Sequence, residues 1–89
     1  MADLSYALSM RWRTKTVAVR TGAKEFAHVA VQLDLIDVRH GRARRTKVID
    51  KFMEPTVAQA VLDTLRVGAA AAHIPMEYRG DYFAVSSQP

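Results

Sequence analysis

The densest run of chemically capable side chains is Arg39-His40-Gly41-Arg42-Ala43-Arg44-Arg45-Thr46-Lys47, five Lys/Arg and one histidine with no acid from Arg39 through Ile49. Arginine forks bind phosphate or carboxylate oxygens bidentately, so the chemistry this run offers is anion recognition. A second acid-free stretch, residues 4–24, holds Arg11, Arg13, Lys15, Arg20 and Lys24. Arg39, His40, Arg42, Arg44, Arg45, Lys47, Arg11 and Arg13 are therefore the candidate binding residues. His40, at a turn tip, joins the arginines when protonated. Nucleic acid, or a nucleoprotein complex, is the partner such a footprint suggests. The plainer alternatives are a solvated loop that keeps a small domain soluble, and arginines that pair with an acidic protein surface.

Other residues that could react are poorly placed for it. Ser5 and Ser9 lie in an alternating strand pattern without an elbow glycine, and a nucleophile needs a base beside it. Asp34 and Asp37 are three apart in a strand, so their side chains project to opposite faces unless a bulge intervenes. His28, His40 and His73 fall in three different elements, with no ligand spacing for a metal. Gly22 and Gly41 stand alone, which excludes a phosphate-cradling loop. Tyr6 and Trp12 could stack bases, but they share the phase of Leu4, Leu8 and Met10 and belong to the core. Arg79-Gly80-Asp81 reads as a turn rather than as a recognition tripeptide. No cofactor is expected, and the expectation is a non-enzymatic binding module.

Composition sets the frame. The chain has 89 residues, 49% of them hydrophobic, a formal charge of +4 and no cysteine. Its length fits one domain, residues 1–89, with 86–89 as a frayed tail. Without cysteine there is no disulfide scaffold, thiol nucleophile, iron–sulfur cluster or zinc knuckle. No apolar run approaches the ~18 residues of a spanning helix. The first residues lack the basic and apolar regions of a signal peptide, so a cytoplasmic location away from membranes is expected. The charge is polarised. Residues 1–51 carry eleven basic and five acidic groups, and residues 52–89 two basic and four acidic.

The elements that must position these groups follow from periodicity. Leu4, Tyr6, Leu8, Met10 and Trp12 alternate with Ser5, Ala7, Ser9 and Arg11, the pattern of a half-buried strand. Val17 and Val19 restart it, and the pattern admits either one bent strand or two strands over 4–13 and 16–21. Residues 22–24 read as a turn and 26–38 as a long strand apolar on both faces, with Asp34 and Asp37 near an exposed end. Arg39-His40-Gly41-Arg42 is a tight turn. The return strand runs from Ala43 to about Phe52, with Val48 and Ile49 as core candidates.

Glu54-Pro55-Thr56 opens a helix, because proline in the first turn loses no intrahelical bond. Its apolar stripe is Val57, Val61, Leu62, Leu65 and Ala69, with Gln59, Asp63 and Arg66 opposite and a stop or kink possible at Gly68. Residues 76–85 suggest a C-terminal β-hairpin around Arg79-Gly80-Asp81. The expected fold is α+β, an antiparallel sheet of about four strands packed by one helix, with that hairpin at its end.

Two other classes fit the same profile. One is a phage or mobile-element accessory protein, an anti-CRISPR-type inhibitor or adaptor that docks on a host protein complex. The other is a structural subunit, a homodimer formed through the sheet, since one helix does not cover both sides of a strand apolar on two faces.

Overall fold

The computed structural model describes residues 3–86. The chain runs β1 (Asp3–Val19), β2 (Gly22–Arg39), β3 (Arg42–Met53), α1 (Pro55–Ala71), β4 (Met76–Arg79) and α2 (Asp81–Ser86). The four strands form one α+β sheet in the order β3-β2-β1-β4. β1, β2 and β3 are antiparallel neighbours, while β4 lies parallel to β1 and makes the sheet mixed.

β1 is one uninterrupted strand of 17 residues, paired with β2 without a break from Asp3 (opposite Val38) to Val19 (opposite Gly22). Val17 and Val19 fall on the face of Arg11 and Arg13, out of phase with Leu8 and Met10. The turn beyond it is Arg20-Thr21, and Gly22 already belongs to β2, so the turn expected at 22–24 sits two residues earlier. At the next turn His40 (φ 52°) and Gly41 (φ 74°) are both left-handed. That geometry matches the twist of a two-residue hairpin.

A bulge shifts β3. Leu33 pairs with Ile49 and Asp34 with Lys47, which leaves Val48 with no residue opposite. Val48 is 54% exposed, contrary to its expected place in the core, whereas Ile49 packs against the core. The extra residue reverses the side-chain phase of everything before it. Asp50 and Phe52 therefore share a face with Arg45 and Lys47.

Leu8, Met10, Val29, Val31 and Leu33 form the covered side of the sheet, under Ala58 and Leu62 of α1 and Tyr82 of α2. Two positions on α1 differ from the expected stripe. Val57 is 48% exposed, and Gln59 turns toward α2, where its Oε1 accepts a bond from the Tyr82 hydroxyl at 2.9 Å. The helix passes through Gly68 without stopping. It ends where His73 takes a left-handed φ of 56°, with its N–H on the Ala70 carbonyl and that of Ile74 on the Ala69 carbonyl. This is the Schellman closure, with histidine in the place usually held by glycine.

The C-terminal hairpin is not formed. α1 carries the chain from the β3 edge to the β1 edge, and a strand that returns after such a crossover runs parallel. β4 is four residues long, and Gly80 (φ 116°) then turns the chain away, tight against the Met10 backbone. Asp81 Oδ1 accepts the Trp12 N–H at 2.7 Å, which takes the edge position that a further strand would use. Ser86 closes α2, and residues 87–89 of the expected frayed tail lie outside the described residues.

The molecule is long, 58 × 29 × 18 Å, with a radius of gyration of 15.9 Å. A compact chain of this length would have about 12 Å. The excess comes from β1 and β2, which continue as a two-stranded ribbon past the last partners on β3 (Met53, opposite Val29) and β4 (Arg79, opposite Ser9). Among the described residues no helix is long and apolar enough to cross a membrane.

Candidate basic interface

Strand register sorts the candidate residues onto two sides. Arg11 and Arg13 lie opposite Ala30 and His28, and Arg45 and Lys47 opposite Ile36 and Asp34. All four occupy the face turned away from the core residues of α1 and α2, here termed the open face. At its ribbon end Glu54, Pro55 and Thr56 border a hollow shared with Lys15, Val17, Phe26 and His28. Arg39, Arg42 and Arg44 share the phase of Asp37 and lie on the helix side, beyond the hairpin end of the core. His40 is exposed at the turn itself. The basic run that is continuous in sequence is therefore split between two faces.

The run is also less free than its sequence suggests, because β2 supplies two of the acids it lacks and the far end of β3 a third. Arg39 Nε lies 2.9 Å from Asp37 Oδ2, Arg45 Nη1 2.8 Å from Asp34 Oδ2, and Lys47 Nζ 3.3 Å from Asp50 Oδ2. Only the Lys47–Asp50 pair is exposed on both sides, and a pair of that kind contributes little stability. Arg42 and Arg44 have no carboxylate partner among the described residues, nor do Arg11 and Arg13. Arg13 is steadied by a bond from Nη1 to the Trp12 carbonyl at 2.9 Å.

Asp34 differs from the exposed residue expected at this position. It is 3% exposed although it sits on the open face. Gln32 Nε2 and Arg45 Nη1 both donate to its Oδ2, and Oδ1 is buried without a partner. The carboxylate thus anchors Arg45 from beneath and leaves that guanidinium half exposed above the sheet.

Register adds residues that the charge map did not single out. Lys15, Lys24 and Arg79 also fall on the open face, giving seven Lys/Arg (Arg11, Arg13, Lys15, Lys24, Arg45, Lys47, Arg79) against four acids (Asp3, Asp34, Asp50, Glu77). This one face holds most of the chain's net +4. Glu77 grips Arg79 through two bonds of 3.0 and 3.1 Å and raises its guanidinium pKa further. Phe26 and Phe52 stand on the same face, 41% and 64% exposed. Tyr6 and Trp12 pack against the core instead, as their phase implies, with Trp12 5.1 Å from the Tyr82 ring.

Among the described residues no three His, Asp or Glu side chains gather as a metal site. No described serine is bonded to a histidine, and the His28 ring meets the Phe26 carbonyl at 3.1 Å. No family model, curated protein or solved structure matches the chain.

Proposed function

We propose that this chain is a non-enzymatic binding module whose open sheet face contacts nucleic acid or a nucleoprotein complex. One observation carries the reading. Seven Lys/Arg share the open face, and four of them, Arg11, Arg13, Lys15 and Lys24, have no carboxylate partner among the described residues. The cations are spread rather than clustered. Four residues of strand and two inter-strand steps separate the Arg11 row from Lys47, roughly 16 Å. That spread suits a polymeric anion better than a small one. Face-to-face pairing of two copies would oppose like charges, which counts against the homodimer reading. An acidic protein surface, as in the inhibitor or adaptor reading, would use the same cations.

Fluorescence anisotropy with labelled DNA and RNA at 50–200 mM salt tests the proposal. Arg11→Glu with Arg13→Glu is expected to weaken binding at least tenfold. Arg42→Glu with Arg44→Glu, on the helix side, is expected to weaken it about threefold through long-range charge alone. No binding to any nucleic acid at 50 mM salt would refute the reading and leave the protein-docking alternative.

A further inference from the structure

We infer that the open face is a stacking platform for single-stranded nucleic acid, built on Phe52 and Phe26 and the cations that alternate with them. The inference rests on the nucleic-acid reading above and narrows it to one form of the polymer.

The argument begins with two phenylalanines that the core does not use. The covered side already has Tyr6, Trp12, Tyr82 and Phe83, whereas Phe52 and Phe26 present rings on the opposite side at 64% and 41% exposure. Successive rows across the open face then read as ring or small floor beside cation. In the first row Phe52, Ala30 and Arg11 lie directly cross-strand. In the next, His28 faces Arg13, and in the third Phe26 faces Lys15. Lys24 completes the set, with Nζ 5.8 Å from the centre of the Phe26 ring.

Rows on one face repeat every two residues, about 6.7 Å. That repeat is close to the phosphate-to-phosphate step of an extended single strand. Over Ala30 the surface dips into a hollow of about 390 Å³ walled by Arg11, Arg13, Gln32 and Asp50. Amide and carboxylate groups there can meet base edges while the arginines meet phosphates.

One feature selects the single strand. A duplex hides its base faces within the stack, so exposed phenylalanines gain nothing from it, whereas an open strand can lay bases on them. Ring stacking and phosphate pairing use groups that DNA and RNA strands share, so the two should be taken alike.

The test compares labelled 15-nucleotide oligo-dT and oligo-U with a 15-base-pair duplex at 100 mM salt. The two single strands are expected to agree within about threefold and to bind at least tenfold tighter than the duplex. Phe52→Ala should weaken single-strand binding by roughly 5- to 150-fold, the usual range for removing one stacking ring. Phe52→Tyr, which keeps the ring, should restore it, and Phe26→Ala supplies an independent second variant. With four phosphate contacts, raising salt from 50 to 200 mM should cost a single strand ~50-fold in affinity.

A duplex bound as tightly as the single strands would overturn the platform, and so would full affinity in both Phe→Ala variants. A difference above tenfold between oligo-dT and oligo-U would overturn its indifference to the sugar. Binding lost for every nucleic acid removes the broader reading as well, whereas duplex binding insensitive to Phe52→Ala removes this inference alone.

Discussion

Leu8 and Met10 are completely buried beneath the helices, while Ser9 and Arg11, their neighbours in the chain, lie on the open face. The two faces of β1 share one backbone and one set of ladder hydrogen bonds. They differ in what their side chains contribute. The covered face supplies the apolar burial that holds the fold, and the open face supplies charge and two exposed rings that burial does not require. Substitutions should divide along the same line, with stability lost on one side and partner binding on the other. A substitution that crossed the line would break the comparison.

The largest loss is expected at Gly80, where covered face and sheet edge meet. A Cβ there would collide with the Met10 carbonyl, and φ of 116° is strained for any other residue. Gly80→Ala should cost about 3 kcal/mol or more, because neither backbone can move without opening the β1–β4 pairing. Urea denaturation followed by circular dichroism measures it, and a loss below 1 kcal/mol would show that the β4 corner is not held as described. Next comes Leu62→Ala at the centre of α1. Leu62 is 1% exposed among Leu8, Val31 and Ala58, so the cavity should cost about 2–5 kcal/mol.

Tyr82→Phe is expected to be milder and to carry a pH signature. The hydroxyl bonds Gln59 Oε1, and its loss should cost about 1 kcal/mol. Burial first, and then the Asp63 carboxylate, raise the Tyr82 phenol above its ordinary value of 10.0. The folded state therefore keeps its proton longer than the unfolded state does. That contribution is complete below the unfolded value and is lost as pH rises from about 10 through the higher folded pKa. Urea midpoints at pH 8, 10 and 11 should fall more steeply for the parent than for Tyr82→Phe. Equal slopes would show that Tyr82 is not protected.

Much of the covered face was legible because alternation and helical spacing are local signals. Leu8, Met10, Leu62 and the placement of Tyr6 and Trp12 with the core followed from phase alone. The mixed sheet was not legible. Residues 76–85 have the composition of a hairpin, and only the crossover of α1, together with Asp81 on the Trp12 N–H, makes β4 parallel and sends the chain into α2. The bulge was hidden for a related reason. Val48-Ile49 reads as two core residues, and only pairing to Leu33 and Asp34 shows that one of them is extra. That single residue sets the phase of Arg45 and Lys47 relative to Phe52. The candidate interface was thus visible in sequence as charge but not as a face. The carboxylates that meet Arg39 and Arg45 come from β2, and their pairing with β3 depends on register.

The smallest stability effect, and the sharpest test of the comparison, belongs to Arg11→Glu with Arg13→Glu. Both side chains are exposed and neither has a carboxylate partner among the described residues, so no buried interaction is lost. The double change lowers a net charge of +4 to zero and relieves some self-repulsion on the open face. Against this, strand propensity for glutamate is slightly poorer. The two effects are small and opposite, and unfolding free energy should stay within about 0.5 kcal/mol of the parent. Nucleic-acid affinity should fall at least tenfold in the same protein. A stability loss above 2 kcal/mol would mean that the arginines hold the sheet together, and the division between a face for folding and a face for binding would then fail at its clearest point.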